Sequence, residues 1–124
     1  MKAYETPTDF NLSVKIENKE IVYSDLMEIT QGGPEIGTIT INGEIVSAGR
    51  FGGPMLYRTG YIYIPIFTKK FLGSGFRLAI INLETLKVDV IGKTKDLIFL
   101  NRIEDNRIYY YTDVSKSNME FLLL

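Results

Sequence analysis

The sequence alternates between short runs of β-branched and aromatic residues and turn signals, which recur about every eight to twelve positions. In FNLSVKIE (10–17), for example, apolar residues occupy every second position, as on one face of a half-buried strand. No segment sustains the 3.6-residue period of an amphipathic helix. The pattern therefore predicts an all-β chain and constrains every later step.

We expect about ten short antiparallel strands, because the runs have the length and composition of strands and short connections between them. The strands are FNLSVKIE, EIVYSDLMEIT (20–30, with a break near Ser24-Asp25), TITI, EIVSA, MLYR, YIYIPIF, GFRLAIIN, LKVDVIG, DLIFLNRI and RIYYYTD. Tight turns are expected at Asn18-Lys19, Asn42-Gly43, Thr59-Gly60 and Glu104-Asp105-Asn106, and other connections at QGGPEIG, TKKFLGS, Leu83-Glu84-Thr85 and KTK (93–95). Asn42-Gly43 is the strongest of these signals, because both residues tolerate the positive φ angles of a type I′ turn. The apolar tail NMEFLLL is expected to form a last strand docked on the core, with a docking strip for a partner as the alternative.

A chain of 124 residues fits one domain, 1–124, with its own core. Consecutive hairpins must stack or close to hide their apolar faces, so the meander predicts a sandwich, a strongly curved sheet or a small barrel. The region from Gly60 to Asp113 resembles a unit of a β-propeller blade in its hairpin spacing. A propeller needs at least about four blades of about forty residues, and this chain could supply three at most. We therefore interpret the pattern as meander topology and assign no family.

Composition excludes several chemistries. The chain has no histidine and no cysteine, so Ser-His-Asp and Cys-His nucleophiles, disulfides and the common zinc sites are impossible. Its fifteen acidic residues would create carboxylate pairs in any small domain, so such pairs alone do not indicate catalysis. We expect no catalytic residue, no metal, no cofactor and no enzymatic activity. MKAYETPTDF does not resemble a secretory signal, and no apolar run could span a membrane, so we expect a cytoplasmic protein.

The charges are divided unevenly along the chain. The net charge of −1 gives no basic excess for nucleic acid or anionic lipid, and we expect neither as a partner. Residues 1–50 carry four basic and eight acidic side chains, however, whereas residues 51–124 carry ten and seven. An acidic face for a basic partner is one interpretation and ordinary solvation is the other. The candidates for such a face are Glu28, Glu35 and Glu44.

Tyrosine is the second candidate for a binding surface. In YIYIPIF the three isoleucines point to one side of the strand, and Tyr61, Tyr63, Pro65 and Phe67 point to the other. Both sides must then be covered, the second by protein or by a ligand. Pro65 lacks an N–H and so predicts a sheet edge or bulge. In RIYYYTD, Tyr110 lies on the side of Ile108. The aromatic candidates for partner binding are Tyr57, Tyr61, Tyr63, Phe67, Tyr109 and Tyr111.

A tyrosine-rich β chain without catalytic groups fits a binding role, because tyrosine offers a large contact area at small entropic cost. We expect a non-catalytic protein-binding module, with a small immunity-type protein that neutralises a basic, nuclease-like bacterial toxin as one form of it. The alternative is a carbohydrate or small-molecule binding domain that uses the tyrosine-rich strand face. Edge strands would also permit a homo-oligomer.

Overall fold

The computed structural model describes residues 12–29, 34–69 and 73–124, which form eleven β-strands and no helix. The strands make three antiparallel sheets, none of which closes into a barrel, and each sheet is a meander of consecutive strands. The predicted all-β antiparallel fold is confirmed. Sheet 1 contains β1 (Ser13–Ile16), β2 (Lys19–Glu28), β3 (Glu35–Ile41) and β4 (Glu44–Ile45). Sheet 2 contains β5 (Leu56–Arg58), β6 (Tyr61–Lys69), β7 (Ser74–Asn82) and β8 (Val88–Lys95), and sheet 3 contains β9 (Phe99–Glu104), β10 (Arg107–Tyr111) and β11 (Met119–Leu123).

Two-residue turns with positive φ angles at both positions close the tight hairpins. They occur at Glu17-Asn18, Asn42-Gly43, Thr59-Gly60 and Asp105-Asn106. Such turns match the right-handed twist of the flanking strands. The first reversal was predicted one residue too late, because the backbone of Lys19 pairs with Ile16 and belongs to β2. The other three confirm the predicted positions.

Two further strand predictions have opposite outcomes. The break in β2 is confirmed, since its register with β3 shifts between Ser24 and Met27 and Asp25 has a φ of 52°. The predicted connection at 93–95 is wrong, because these residues continue β8 and Lys95 pairs with Phe76 of β7. Four other predictions fall in part outside the described residues: Phe10 and Asn11 of the first strand, Thr30 of the second, residues 31–33 of QGGPEIG and residues 70–72 of TKKFLGS. Most described residues of the last two are strand and not connection, because residues 35–37 begin β3, residues 68–69 end β6 and Ser74 begins β7.

Sheet 2 is covered on both faces by other parts of the chain. Ile62, Ile64 and Ile66 of β6 belong to a buried cluster with Ile21 and Ile39 of sheet 1. Tyr63, on the opposite side of the same strand, belongs to a second cluster with residues of sheet 3, among them Phe99, Leu100 and Ile108. β7 alternates in the same way, with Ala79 and Ile81 in the first cluster and Phe76 and Leu78 in the second. The prediction that both sides of YIYIPIF are covered is confirmed for residues 62–66, where the cover is protein, whereas Tyr61 is exposed and Phe67 is half-buried.

The buried segment 51–55 joins sheets 1 and 2. Phe51 forms isolated β-bridges to Gly37 of β3 and to Ile66 of β6, and its side chain is fully buried. The hydroxyl of Tyr23 donates a 2.6 Å hydrogen bond to the carbonyl oxygen of Gly52, and the N–H of Gly52 donates to the carbonyl oxygen of Pro65. The predicted edge position of Pro65 is wrong, because β6 lies between β5 and β7. Its missing N–H is tolerated because β5 pairs only with residues 61–63 of β6.

The two-sided burial of sheet 2 predicts large losses of stability on truncation at either face. Leu78→Ala and Ile64→Ala should each lower the free energy of unfolding by about 2–5 kcal/mol, because both side chains are fully buried and would leave cavities. Leu123→Ala and Ile45→Ala remove the same atoms from side chains that are 70% and 65% exposed, and should cost less than about 1 kcal/mol. Urea denaturation measures all four variants. Similar losses in the buried and exposed members of a pair would contradict the arrangement of the sheets.

Candidate functional site

The structure disperses the aromatic candidates of sheet 2. Tyr57 and Tyr61 lie on the β5–β6 hairpin and are 36% and 41% exposed. Tyr57 pairs with Ile62, so the two tyrosines belong to opposite faces of the hairpin. Tyr63 is 5% exposed and packs in the second core cluster. Phe67, four residues after Tyr63 on β6, is half-buried and meets Phe76 edge to face, with the ring centroids 5.8 Å apart. These rings therefore do not form one continuous surface.

The acidic candidates lie at two ends of sheet 1. Glu28 and Glu35 are direct partners across the β2–β3 pair, at the end of β2 and the start of β3. Glu44 is exposed at the start of β4, beside the Asn42-Gly43 turn at the far end of β3. About 20 Å of strand separates the two positions, since β3 spans seven residues. The three carboxylates thus do not converge, and none of them belongs to the sheet that carries Tyr109 and Tyr111.

By strand alternation, Tyr109 and Tyr111 lie on the face of sheet 3 opposite to Ile108 and Tyr110, although Tyr111 is partly buried and also packs against the second core cluster. Ile108 and Tyr110 share one side of β10, as the alternation predicted, and that side is buried, since they are 0% and 2% exposed. Tyr109 is half-buried and pairs directly with Phe121 of β11, with their ring centroids 5.8 Å apart. Tyr111 pairs with Met119 and contacts the ring of Phe99 edge to face. We call this surface the sheet 3 outer face, formed by Arg102, Glu104, Arg107, Tyr109, Tyr111, Met119, Phe121 and Leu123.

Three apolar side chains of β11 stand exposed on the sheet 3 outer face. Met119, Phe121 and Leu123 are 39%, 47% and 70% exposed, and they occupy alternate positions on the last strand. The sequence did not single them out, although its apolar tail was predicted to be a strand or a docking strip. The strand is confirmed, and the exposure leaves the docking role open. Contiguous exposed apolar groups on a folded sheet are typical of interaction surfaces.

Arg102 organises the centre of this face. Its guanidinium carbon lies 4.1 Å from the centroid of the Tyr109 ring, and its Nε lies 3.5 Å from a carboxylate oxygen of Glu104. A β-bulge in β9 makes this possible, because Arg102 pairs with Tyr109 while Leu100, two residues earlier, pairs with Tyr110. The extra residue, Asn101, is buried, and its oxygen accepts a 2.9 Å hydrogen bond from Arg102. Arg107 likewise lies 4.8 Å from the ring centroid of Phe121.

The segment 112–118 borders the sheet 3 outer face at the start of β11. The carboxylate of Asp113 accepts hydrogen bonds from the hydroxyls of Ser115 and Ser117 and from the backbone N–H groups of Ser117 and Asn118. These bonds favour the ionised form and lower the pKa of Asp113 from 3.8 to about 2. The ammonium nitrogen of Lys116 lies 4.7 Å from the centroid of the Phe99 ring. The loop therefore covers Phe99 while Phe121 and Leu123 stay exposed.

A groove is present at a different place, where sheets 1 and 2 meet. It has a volume of about 340 Å³ and is lined by Met27, Ile29, Ile36, Arg50, Phe67 and Lys69. Within residues 12–29, 34–69 and 73–124, no three acidic side chains gather closely enough to hold a metal ion. The same residues contain no helix long and apolar enough to cross a membrane.

Comparisons with protein-family models, with curated proteins and with solved structures gave no match to this chain.

Tyr63 is buried and Tyr61 is exposed on the same strand, so their truncation should change the free energy of unfolding by different amounts. Tyr63→Ala should lower the free energy of unfolding by about 3–5 kcal/mol, as truncation of a buried aromatic side chain does. Tyr61→Ala should cost less than about 1 kcal/mol, because its ring is 41% exposed. Thermal or urea unfolding of the two variants measures the difference. Equal costs would mean that the ring of Tyr63 is not part of the core.

The hydrogen bonds of Asp113 predict an acid-sensitive loop. Its folded pKa of about 2 lies below the unfolded value, so its contribution to stability is complete above pH 3.8 and is lost as the pH falls toward 2. An NMR titration of the side-chain carboxyl should show this depressed pKa directly. Ser117→Ala removes one of the hydroxyl donors and should raise the pKa of Asp113 toward its ordinary value. An unchanged pKa in that variant would show that the hydroxyl does not stabilise the carboxylate.

Proposed function

We propose that this protein is a non-catalytic protein-binding module and that the sheet 3 outer face is its binding surface. One observation carries the proposal: Met119, Phe121 and Leu123 are exposed side by side next to Tyr109 on an ordered sheet. Burial of such side chains would contribute about 25 cal/mol per Å² of apolar area removed from water. An exposed, partly aromatic strand surface of this kind suits another protein surface better than a compact ligand, which needs a concave pocket.

The aromatic rings are arranged less well for a sugar than for a protein. A sugar stacks on the free face of a ring, but the guanidinium groups of Arg102 and Arg107 already lie over Tyr109 and Phe121. The rings of Tyr109 and Phe121 are also tilted by 44° to each other and offer no common plane. Arginine and tyrosine together are enriched at the energetic centres of protein interfaces. We therefore favour a protein partner over a carbohydrate.

The charge of the sheet 3 outer face favours a partner with acidic groups around an apolar centre. Two arginines and one glutamate lie on the face, and Glu104 is already close to Arg102. Complementary charges on the partner would guide encounter and fix orientation. A basic partner, such as the toxin considered above, would require a separate surface on sheet 1, where Glu28, Glu35 and Glu44 lie. The immunity-type role, the cytoplasmic location and self-association through edge strands stay predictions.

Site-specific photo-crosslinking tests the surface. A photoreactive phenylalanine analogue replaces Leu123 in one variant of the chain and Ile45 in a control variant. Both side chains are exposed, and they belong to different sheets. After exposure to an extract of the source cells and irradiation, the analogue at position 123 should give a discrete protein adduct that position 45 does not give. Arg107→Glu should reduce the yield of that adduct several-fold, because it reverses a charge on the surface.

The outcomes are distinct. An adduct joining two copies of the chain would identify the partner as the chain itself. The same adducts from both positions, or none at position 123, would contradict the proposal.

A further inference from the structure

The groove between sheets 1 and 2 is built from neighbouring positions of three strands. Met27 of β2 and Ile36 of β3 are direct partners across their pair, so their side chains share a face. Phe67 and Lys69 are two residues apart on β6 and also share a face. Arg50 joins the two groups, because its carbonyl oxygen accepts a 2.9 Å hydrogen bond from the N–H of Phe67. The lining is thus set by backbone pairing and is independent of the sheet 3 outer face.

Most of the groove wall is apolar. Met27 is 49% exposed although it faces other apolar side chains, while Ile36 is 2% exposed and anchors the wall in the core. Phe67 is held in place by its edge-to-face contact with Phe76. A wall of this composition suits an alkyl or aromatic group that would otherwise be in water.

Both charged residues of the described groove lining are cations. Arg50 and Lys69 line the groove, and no carboxylate belongs to the described lining. One guanidinium nitrogen of Arg50 donates to the backbone carbonyl oxygen of Asp25 at 2.9 Å, which fixes the side chain without neutralising it. Glu28 and Glu35 follow and precede Met27 and Ile36 directly, so strand alternation places them on the opposite face. The groove therefore combines an apolar wall with positive charge.

We propose that this groove binds a small amphipathic carboxylate, namely a medium-chain fatty acid or a molecule of similar shape. The alkyl chain would cover Met27, Ile36 and Phe67, and the carboxylate would meet the cations of Arg50 and Lys69. Arginine suits this head group because its planar guanidinium donates to both oxygens of a carboxylate. Inorganic anions lack the apolar part, and neutral alcohols lack the charge. The proposal does not depend on the protein-binding role.

The test is to titrate the full chain separately with decanoate, decanol and acetate. The methyl NMR signals of Met27 and Ile36 are measured at each step of each titration. Decanoate should shift both signals in a saturable way and bind at least several-fold more tightly than decanol or acetate. Lys69→Gln should weaken decanoate binding about two- to fivefold, the range expected for one exposed ion pair, and leave decanol unchanged. Lys69 is exposed at the end of β6, so the variant should fold normally. Lys87→Gln, an exposed lysine before β8, is the matched control and should bind decanoate as the wild type does.

Four results would overturn the proposal. Equal affinities for decanoate and decanol would show that the cations do not contribute, and tighter binding of acetate would show that the apolar wall does not. Equal losses of decanoate affinity in the Lys69→Gln and Lys87→Gln variants would mean that only the net charge of the protein matters and that Lys69 does not contact the carboxylate. Shifts confined to signals outside the groove would place any binding elsewhere.

Discussion

Burial of β6 on both faces is the constraint on which the rest of the structure depends. A strand that is apolar on both sides cannot lie at the surface of a two-layer fold, because one side would then remain in water. Sheet 1 covers the isoleucine side and sheet 3 covers Tyr63. Among the described residues, this arrangement leaves Met119, Phe121 and Leu123 of sheet 3 exposed. The binding surface proposed for sheet 3 is built on these side chains, and the groove lies where sheet 1 meets sheet 2.

Much of this arrangement could be predicted from local patterns. Alternation in YIYIPIF correctly placed Ile64 on a buried side, and alternation in RIYYYTD correctly placed Ile108 and Tyr110 on one shared side. Asn42-Gly43 correctly marked a hairpin, because asparagine and glycine tolerate the positive φ angles that the turn requires. These properties depend on neighbours along the chain and on strand geometry. They need no knowledge of which sheet packs on which.

The candidate site depends on pairings that local patterns do not contain. Tyr61 and Tyr63 look equivalent in sequence, yet Tyr61 is exposed and Tyr63 is buried. The difference arises because Tyr63 packs in a cluster with residues of sheet 3, whereas Tyr61 lies next to the turn of its hairpin. Arg102 reaches Tyr109 only because a bulge shifts the register of β9. Residues 93–95 appeared to be a connection because lysines and a threonine are common in loops, but pairing with β7 extends β8 through them. Long-range contacts overrode local preference in each case.

The underside of β11 determines how rigid its exposed side can be. Leu122 packs so closely on Gly92 of β8 that a Cβ atom at that glycine would lie 2.8 Å from a Leu122 methyl carbon. Next to it, the ammonium group of Lys95 lies 2.8 Å from a carboxylate oxygen of Glu120, an ion pair that raises the pKa of the lysine. Leu122 and Glu120 thus hold one side of β11 against β8, while Phe121 and Leu123 on its other side are exposed. A partner that docks there would meet a preorganised platform and would lose little conformational entropy in ordering it.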